Sequence, residues 1–236
     1  MVNIHAYFGD DEKREAFKKR YLFSYNLIQA LGWSFVLYRV FNYYESGSQQ
    51  TLYDMVKCPL ITFQCSAFLE YYHAKYKLTK SNPQVTFQQI YSRIMIVCAV
   101  LMAVEKSRLS IGFPMVIFAW SITEIIRYTT YSFGIYGQAP FILTWLRYTT
   151  FIPLYPLGVT GELLCMYAAV EDLKATKQWS MELPNKYNVV FFYHHYLIFS
   201  MLLYIPYFPK LYFHMFSQRR KVLGQYKSEK RNGKDA

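Results

Sequence analysis

The sequence contains few cysteines, and their spacing does not suggest a metal site. Only 4 of the 236 residues are Cys, and no two of them form a Cys-x-x-Cys pair. All of them fall in or beside apolar stretches: Cys58, Cys65, Cys98 and Cys165. Neither a disulfide framework nor a zinc site is therefore indicated, and we expect no bound metal.

The sequence also lacks the pattern of an N-terminal signal peptide and of an internal repeat. Residues 1–20 are charged and have no apolar region followed by a small-residue cleavage site. We therefore expect the first membrane span to act as its own signal. The absence of a repeat argues against a transporter built from two related halves.

Aromatic residues, by contrast, are abundant. The chain is 53% hydrophobic and 20% aromatic, with 24 Tyr and 19 Phe, which is more aromatic surface than one soluble core normally requires. Its mean hydropathy is only +0.04, because Tyr counts as polar on such scales and the chain ends are charged. The composition favours a membrane protein.

Six windows approach the roughly 20 apolar residues that a membrane-spanning helix needs. They cover about 21–41, 53–72, 87–104, 112–133, 141–169 and 188–209, and polar, Gly-containing or Pro-containing segments separate them. We predict an all-α, polytopic membrane protein, a six-helix bundle that encloses a polar cavity. Residues 1–216 form one membrane domain in this prediction, and residues 217–236 form a basic tail, disordered beyond its first turn.

Positive charge is concentrated at the two ends of the chain. The formal net charge is +11, but Lys and Arg that flank apolar segments indicate cytosolic membrane anchors, and we expect no nucleic-acid partner. With six spans, fifteen Lys and Arg lie on the side of both termini and five lie on the other side. The richer side is the cytosolic one, so we predict that both termini are cytosolic.

Ionisable residues inside spans are costly and usually face a bundle interior. The predicted spans contain six that need explanation: Glu70, Arg93, Glu124, Arg127, Arg147 and Glu162. Helical spacing places polar residues of the fifth span on one stripe: Thr144, Tyr148, Phe151, Tyr155, Gly158 and Glu162. A second stripe follows the fourth span: Ser121, Glu124, Tyr128 and Tyr131. Two facing stripes would enclose the polar cavity.

Tyr155 and Glu162 stand out because they are seven residues apart, on one helix face and about 10 Å apart along the axis. Pro156, Gly158 and Gly161 lie between them, and we expect these residues to kink the helix, bringing the two side chains closer or freeing backbone groups for a substrate. A carboxyl group in apolar surroundings and a phenol make a metal-free acid-base pair. The alternative is structural: Glu124 could pair with Arg127 or Arg147 to hold helices together.

Four segments carry a resemblance to a known family. The stretch "TWLRYTTFIPLYPLGVTGE", together with "YLFSYNLIQALGW", "AFLEYYHA" and "WSITEIIRYTTYSF", resembles the very-long-chain (3R)-3-hydroxyacyl-CoA dehydratases, also called the protein tyrosine phosphatase-like family. The resemblance covers about residues 21–216. Its most specific part is Tyr-Pro-Leu-Gly-x-x-x-Glu, which begins at Tyr155 and ends at Glu162.

The resemblance implies an endoplasmic-reticulum enzyme with six spans that removes water from a (3R)-3-hydroxyacyl-CoA in the third step of fatty-acid elongation. Tyr155 and Glu162 are its implied catalytic residues, no cofactor is expected, and its partners would be the condensing elongase and the reductases of the same cycle. Candidates for binding the thioester or orienting the pair are Arg127, Tyr128, Tyr131 and Arg147, and further candidates are Arg93 and Glu124.

Other functions fit the residues less well. A phosphatase needs a cysteine in a phosphate-binding loop, and Ala74 follows His73 where one would be wanted. A condensing elongase carries an HxxHH box, whereas "FFYHHY" has Phe191 in place of the first His. Intramembrane charges also mark ion channels. A catalytically silent adaptor of the elongase complex is the main alternative, although Tyr155 and Glu162 are both present.

Overall fold

Helices make up the fold in the part of the chain that the structure describes. The structure is a computed structural model that describes residues 4–47, 49–137 and 139–232, with the side chains of residues 11–226 in those ranges. The α-helices are α1 (Ile4–Ser46), α2 (Leu52–Ser66), α3 (Leu69–Lys75), α4 (Pro83–Ile94), α5 (Glu105–Leu109), α6 (Gly112–Ile135), α7 (Phe141–Arg147), α8 (Phe151–Thr176) and α9 (Tyr193–Asn232). A π-helical segment, Met95–Leu101, continues α4. The prediction of an all-α protein is confirmed.

Helix α6 lies at the centre of the molecule. It packs against α1 and α8, and α9 packs against α8. The apolar core that joins these helices includes Trp33, Leu60, Phe113, Met166 and Leu197, each no more than 1% exposed. Because α6 has neighbours along its length, polar residues on it face other helices.

The predicted spans are interrupted in places. The fifth window contains two helices, α7 and α8, separated by Tyr148, Thr149 and Thr150, so its polar stripe does not lie on one regular helix. Thr150 donates from its side chain to the carbonyl of Leu146 at 2.9 Å, a local bond that competes with helix continuation. The second window is likewise divided between α2 and α3.

The expectation of a disordered C-terminal tail is wrong over the described residues. Helix α9 continues without interruption through Asn232. Residues 233–236, the end of the predicted tail, lie outside the described part of the chain.

Internal prolines occur in α2, α8 and α9, and in α2 and α8 a neighbouring helix binds the carbonyl that the proline leaves free. Pro156 has no N–H for the carbonyl of Ile152, four residues earlier, and Tyr212 of α9 donates to that oxygen at 3.0 Å. Pro59 acts in the same way on Met55, whose carbonyl accepts from Arg39 of α1 at 3.1 Å. The prolines thereby join α8 to α9 and α2 to α1.

One helical run in the described part of the chain, Phe141–Thr176, is long and apolar enough to cross a membrane by length and composition. It contains the fifth predicted span. Large apolar side chains also lie exposed on other helices, among them Leu31 (61%) and Phe41 (51%) on α1 and Ile205 (70%) and Phe213 (67%) on α9. Exposed apolar surface of this extent marks contact with lipid or with another protein.

Candidate active site

The carboxylate of Glu162 lies in the interior between three helices. Glu162 is 9% exposed, and both of its oxygens accept a hydrogen bond. Trp120 of α6 donates its indole N–H to Oε1 at 3.0 Å, and Tyr204 of α9 donates its hydroxyl to Oε2 at 2.6 Å. Donors from two neighbouring helices therefore fix the position of the carboxylate on α8.

Two glycines bring α6 and α8 close enough for the contact between Trp120 and Glu162. A Cβ on Gly161 would lie 2.7 Å from the carbonyl oxygen of Gly112, and one on Gly112 would lie 2.4 Å from the carbonyl oxygen of Gly161. Only residues without a side chain allow the backbones to approach so closely. The structural role of Gly161 is close packing, and α8 is a single helix from Phe151 to Thr176.

We expect Gly161→Ala to destabilise the protein by about 1–3 kcal/mol, the usual cost of overpacking. The new methyl group would also contact Val116, whose Cγ2 lies 2.8 Å away, so α6 would have to move. Thermal unfolding in detergent measures the effect. The matched control is Gly134→Ala, which meets nothing within 4 Å and should leave the melting temperature unchanged or raise it slightly. Equal melting temperatures for the two variants would contradict the packing role.

Tyr155 is half-buried on α8, and its ring contacts Phe151 edge-on, with 5.6 Å between the ring centroids. No described residue forms a hydrogen bond with its hydroxyl, while Arg93 and Glu124 act on it electrostatically. The chain thus places a phenol with a free hydroxyl about 10 Å along the helix axis from Glu162. Such a hydroxyl is available to a substrate.

A network of ion pairs connects α3, α4 and α6 on the same side of the molecule. Arg93 of α4 pairs with Glu124 of α6, and Arg127 donates to Glu124 at 2.5 and 2.8 Å. Arg127 also binds Glu70 of α3 through two parallel bonds of 2.7 and 2.9 Å. Arg93 and Glu124 therefore join α4 to α6.

The network extends towards Glu162 at one end and towards α1 at the other. The Arg93 guanidinium lies over the ring of Trp120, 5.3 Å from its centroid, and Trp120 in turn binds Glu162. At the opposite end, the buried Tyr128 donates its hydroxyl to Glu70. A continuous series of polar contacts therefore begins beside α1 and ends at the Glu162 carboxylate.

Arg147 does not pair with Glu124. It lies at the end of α7, donates to the hydroxyl of Tyr131 at 3.0 Å and stacks over that ring, 4.5 Å from its centroid. Arg127 also faces the ring of Tyr131, at 5.7 Å. Both arginines therefore border the same tyrosine, and no carboxylate among the described side chains pairs with Arg147.

Sequence reasoning did not single out Trp120 and Tyr204 as residues of the site. Tyr204 is one of 24 tyrosines and Trp120 lies in an apolar segment, so only the folded arrangement distinguishes them. Glu70 was recognisable as a charge within a span, but its partners Arg127 and Tyr128 are 57 and 58 residues away in sequence. Among the described residues, no cluster of three or more His, Cys, Asp or Glu could hold a metal ion.

The arrangement supplies the elements of acid-base chemistry. A fixed carboxylate, a free phenol and several Arg and Tyr donors lie along α8 and α6, within an otherwise apolar interior. General acid-base catalysis requires a proton acceptor and a donor that reach the same substrate.

Comparison with known proteins identifies relatives of this chain. Residues 64–225 match the family model described as protein tyrosine phosphatase-like protein, PTPLA. The very-long-chain (3R)-3-hydroxyacyl-CoA dehydratase 2 of Mus musculus is 42% identical over 212 residues, which cover 89% of this chain and 84% of that protein. No solved structure matches.

More distant organisms contain similar proteins. The very-long-chain (3R)-3-hydroxyacyl-CoA dehydratase hpo-8 of Caenorhabditis elegans is 41% identical over 86% of this chain and 94% of its own length. The dehydratase PASTICCINO 2B of Oryza sativa subsp. japonica is 35% identical over 90% and 97%. On this evidence, the chain belongs to the protein tyrosine phosphatase-like, or PTPLA, family, whose relatives reported above are named very-long-chain (3R)-3-hydroxyacyl-CoA dehydratases.

Proposed function

We propose that Tyr155 and Glu162 carry out the dehydration of a very-long-chain (3R)-3-hydroxyacyl-CoA to the trans-2-enoyl-CoA. The protein is a hydro-lyase, a 3-hydroxyacyl-CoA dehydratase that acts in the third step of the fatty-acid elongation cycle. The observation that supports the catalytic pair most directly is the buried Glu162 carboxylate, fixed by Trp120 and Tyr204 on the same helix as the free hydroxyl of Tyr155.

The elimination requires two coordinated proton movements. Glu162 accepts the proton from the carbon next to the thioester carbonyl, and the electron pair of that C–H bond forms the new double bond. The C–O bond at the next carbon breaks, and Tyr155 protonates the departing oxygen, so that water leaves. Return of the proton from Glu162 to Tyr155, through the released water, resets the pair.

Negative charge develops on the thioester oxygen during proton removal, and donors aimed at that oxygen lower the barrier. Arg147, Tyr131 and Arg127 are the donors that we assign to this task or to holding the substrate. Tyr128, Arg93 and Glu124 have their polar atoms in the network described above, and we assign them to orienting Arg127 and the Trp120 indole.

The enzyme, in this proposal, is a six-span bundle in the endoplasmic-reticulum membrane, with both termini in the cytosol and a polar cavity between the spans. The spans are α1, the pair α2 and α3, α4 with its π-helical segment, α6, the pair α7 and α8, and α9. The exposed apolar side chains of α1 and α9, the apolar run Phe141–Thr176 and the basic chain ends support this arrangement. The acyl chain then packs among the spans, and the thioester enters from the cytosolic side.

The other enzymes of the cycle, the condensing elongase and the reductases, are the proposed partners in the membrane. A catalytically silent adaptor that binds those enzymes is the competing function. The free hydroxyl of Tyr155 and the fixed carboxylate of Glu162 favour an enzyme over an adaptor, because an adaptor needs neither group.

Turnover of a defined substrate tests the function. We expect the purified protein in detergent to convert (3R)-3-hydroxyacyl-CoA into trans-2-enoyl-CoA, followed by the ultraviolet absorbance of the conjugated thioester and by mass spectrometry. A series of chain lengths should show turnover of very long chains, and the (3S) epimer serves as the control. A wild-type protein that converts none of these substrates would favour the adaptor.

A further inference from the structure

A groove with a volume of about 930 Å³ opens between the N-terminal part of α1 and the end of α3. Its walls carry the cations Lys13, Arg14 and Lys18, the carboxylates Asp11 and Glu15, and the aromatic side chains Tyr72 and Tyr76. Glu15 pairs with Lys18 at 3.2 Å, so an anion in the groove would pair with Lys13 and Arg14. In the proposed topology these segments lie on the cytosolic side of the bundle. The groove is separate from Tyr155 and Glu162, neither of which lines it.

The inner wall of the groove touches the polar network of the candidate active site. His73 lines the groove and accepts or donates a hydrogen bond with Tyr21 at 2.9 Å. The ring of Tyr25 contacts His73 at 4.8 Å and Tyr128 at 6.1 Å, both edge-on. Because Tyr128 donates to Glu70, the groove and the ion-pair network share one continuous wall.

The interior beyond this wall contains polar atoms without partners. Gln29, one turn beyond Tyr25, donates to Tyr25 and Ser66, but its buried Oε1 accepts no hydrogen bond from a described residue. An unpaired buried acceptor of this kind is costly unless water or another donor satisfies it.

The distance between the groove wall and Glu162 also suits an extended ligand. Tyr128 lies at the end of the ion-pair network beside the groove, and Trp120 binds Glu162. These two residues are eight positions apart on α6, about 12 Å along its axis. A ligand with its charged end in the groove and its reactive end near Glu162 must therefore be long and thin in between. An acyl-CoA, in which a pantetheine arm separates the nucleotide from the thioester, has this shape.

We propose that the groove binds the 3′-phosphorylated adenine nucleotide of the acyl-CoA substrate, a proposal that rests on the function given above. Lys13 and Arg14 pair with the phosphates, since exposed cations close together attract multiply charged anions. The purine stacks on Tyr76, which is 67% exposed and parallel to Tyr72, with 6.3 Å between the ring centroids.

Charge reversal in the groove tests the proposal. For full-length Lys13→Glu/Arg14→Glu in detergent without added lipid, we expect the KM for 3-hydroxyacyl-CoA to rise about tenfold, with kcat unchanged. The KM for the matching 3-hydroxyacyl pantetheine thioester, which has no nucleotide, should stay the same. The Kd of free coenzyme A, measured by calorimetry, should rise by the same factor, a readout that does not depend on turnover.

Two further variants sharpen the test. Arg220→Glu/Lys221→Glu reverses two exposed charges on α9 that do not line the groove, and should leave both KM values unchanged. Tyr76→Ala should raise the KM for the CoA thioester and leave the KM for the pantetheine thioester unchanged. Tyr76→Phe, which keeps the ring, should have the wild-type KM for both. Any of three results would overturn the nucleotide site. The two charge reversals could change the KM equally, the groove variant could change the KM of both thioesters equally, or its effect could require anionic lipid. Loss of wild-type turnover with intact coenzyme A binding would instead overturn the proposed reaction.

Discussion

Glu162→Gln should lower kcat for dehydration by roughly 10³-fold, the usual range for loss of a general base. The substitution keeps the size of the side chain and removes only its ability to accept a proton. Its amide oxygen can still accept from Trp120, and its NH₂ group can donate to the hydroxyl of Tyr204, which reorients to accept. The fold should therefore persist, and the loss should be chemical.

Enoyl-CoA formation and the melting temperature are measured on the same preparation of this variant. Glu171→Gln is the matched control, because Glu171 is exposed on the same helix, and it should retain full activity. Tyr204→Phe, which removes one of the two donors to the carboxylate, should have an intermediate effect. A Glu162→Gln protein that is folded and keeps more than about a tenth of the wild-type kcat would refute the role of Glu162 as the base.

Tyr155→Phe should lower kcat by about 10²-fold or more, because the departing hydroxyl then lacks its acid. The change removes a hydroxyl that no described residue binds, so stability should be unaffected. A substrate with chloride in place of the 3-hydroxyl group distinguishes the two roles, since chloride leaves without protonation. Tyr155→Phe should eliminate HCl from the 3-chloroacyl-CoA at close to the wild-type rate, whereas Glu162→Gln should not.

The control for this variant is Tyr167→Phe on the same helix, where the tyrosine is 55% exposed. Its kcat should equal that of the wild type with both substrates. If the chloride substrate rescued Glu162→Gln and not Tyr155→Phe, the acid and base assignments would have to be exchanged.

Spacing and charge within apolar segments were sufficient to predict the helical fold and to select Glu162, Glu124 and Arg127 as interior residues. The reason is physical: a charged side chain in an apolar segment must face another polar group, and a helix has a fixed period. Tyr155 and Glu162 were selected in the same way, and the resemblance then gave them roles. Those roles stay predictions until the variants above are measured.

The sequence did not reveal how the interior polar groups are paired. Glu124 lies three residues before Arg127 on α6, so that pair was foreseeable, but the bond from Arg127 to Glu70, 57 residues earlier, depends on how α3 lies beside α6. Local rules show that Pro156 leaves a carbonyl without its N–H, but they cannot show that Tyr212, 56 positions later, binds that carbonyl. Pairing over such separations is a property of the packed structure.

Tyr204 and Tyr212 give α9 a role that its own sequence does not suggest. One hydroxyl binds the Glu162 carboxylate and the other the Ile152 carbonyl, two points on α8 on either side of the turn that carries Tyr155. In the proposed enzyme, docking of α9 and completion of the site around Glu162 are therefore the same event. Until α9 is in place, the Glu162 carboxylate and the Ile152 carbonyl lack these two donors, so we expect a chain that ends before Tyr204 to be inactive.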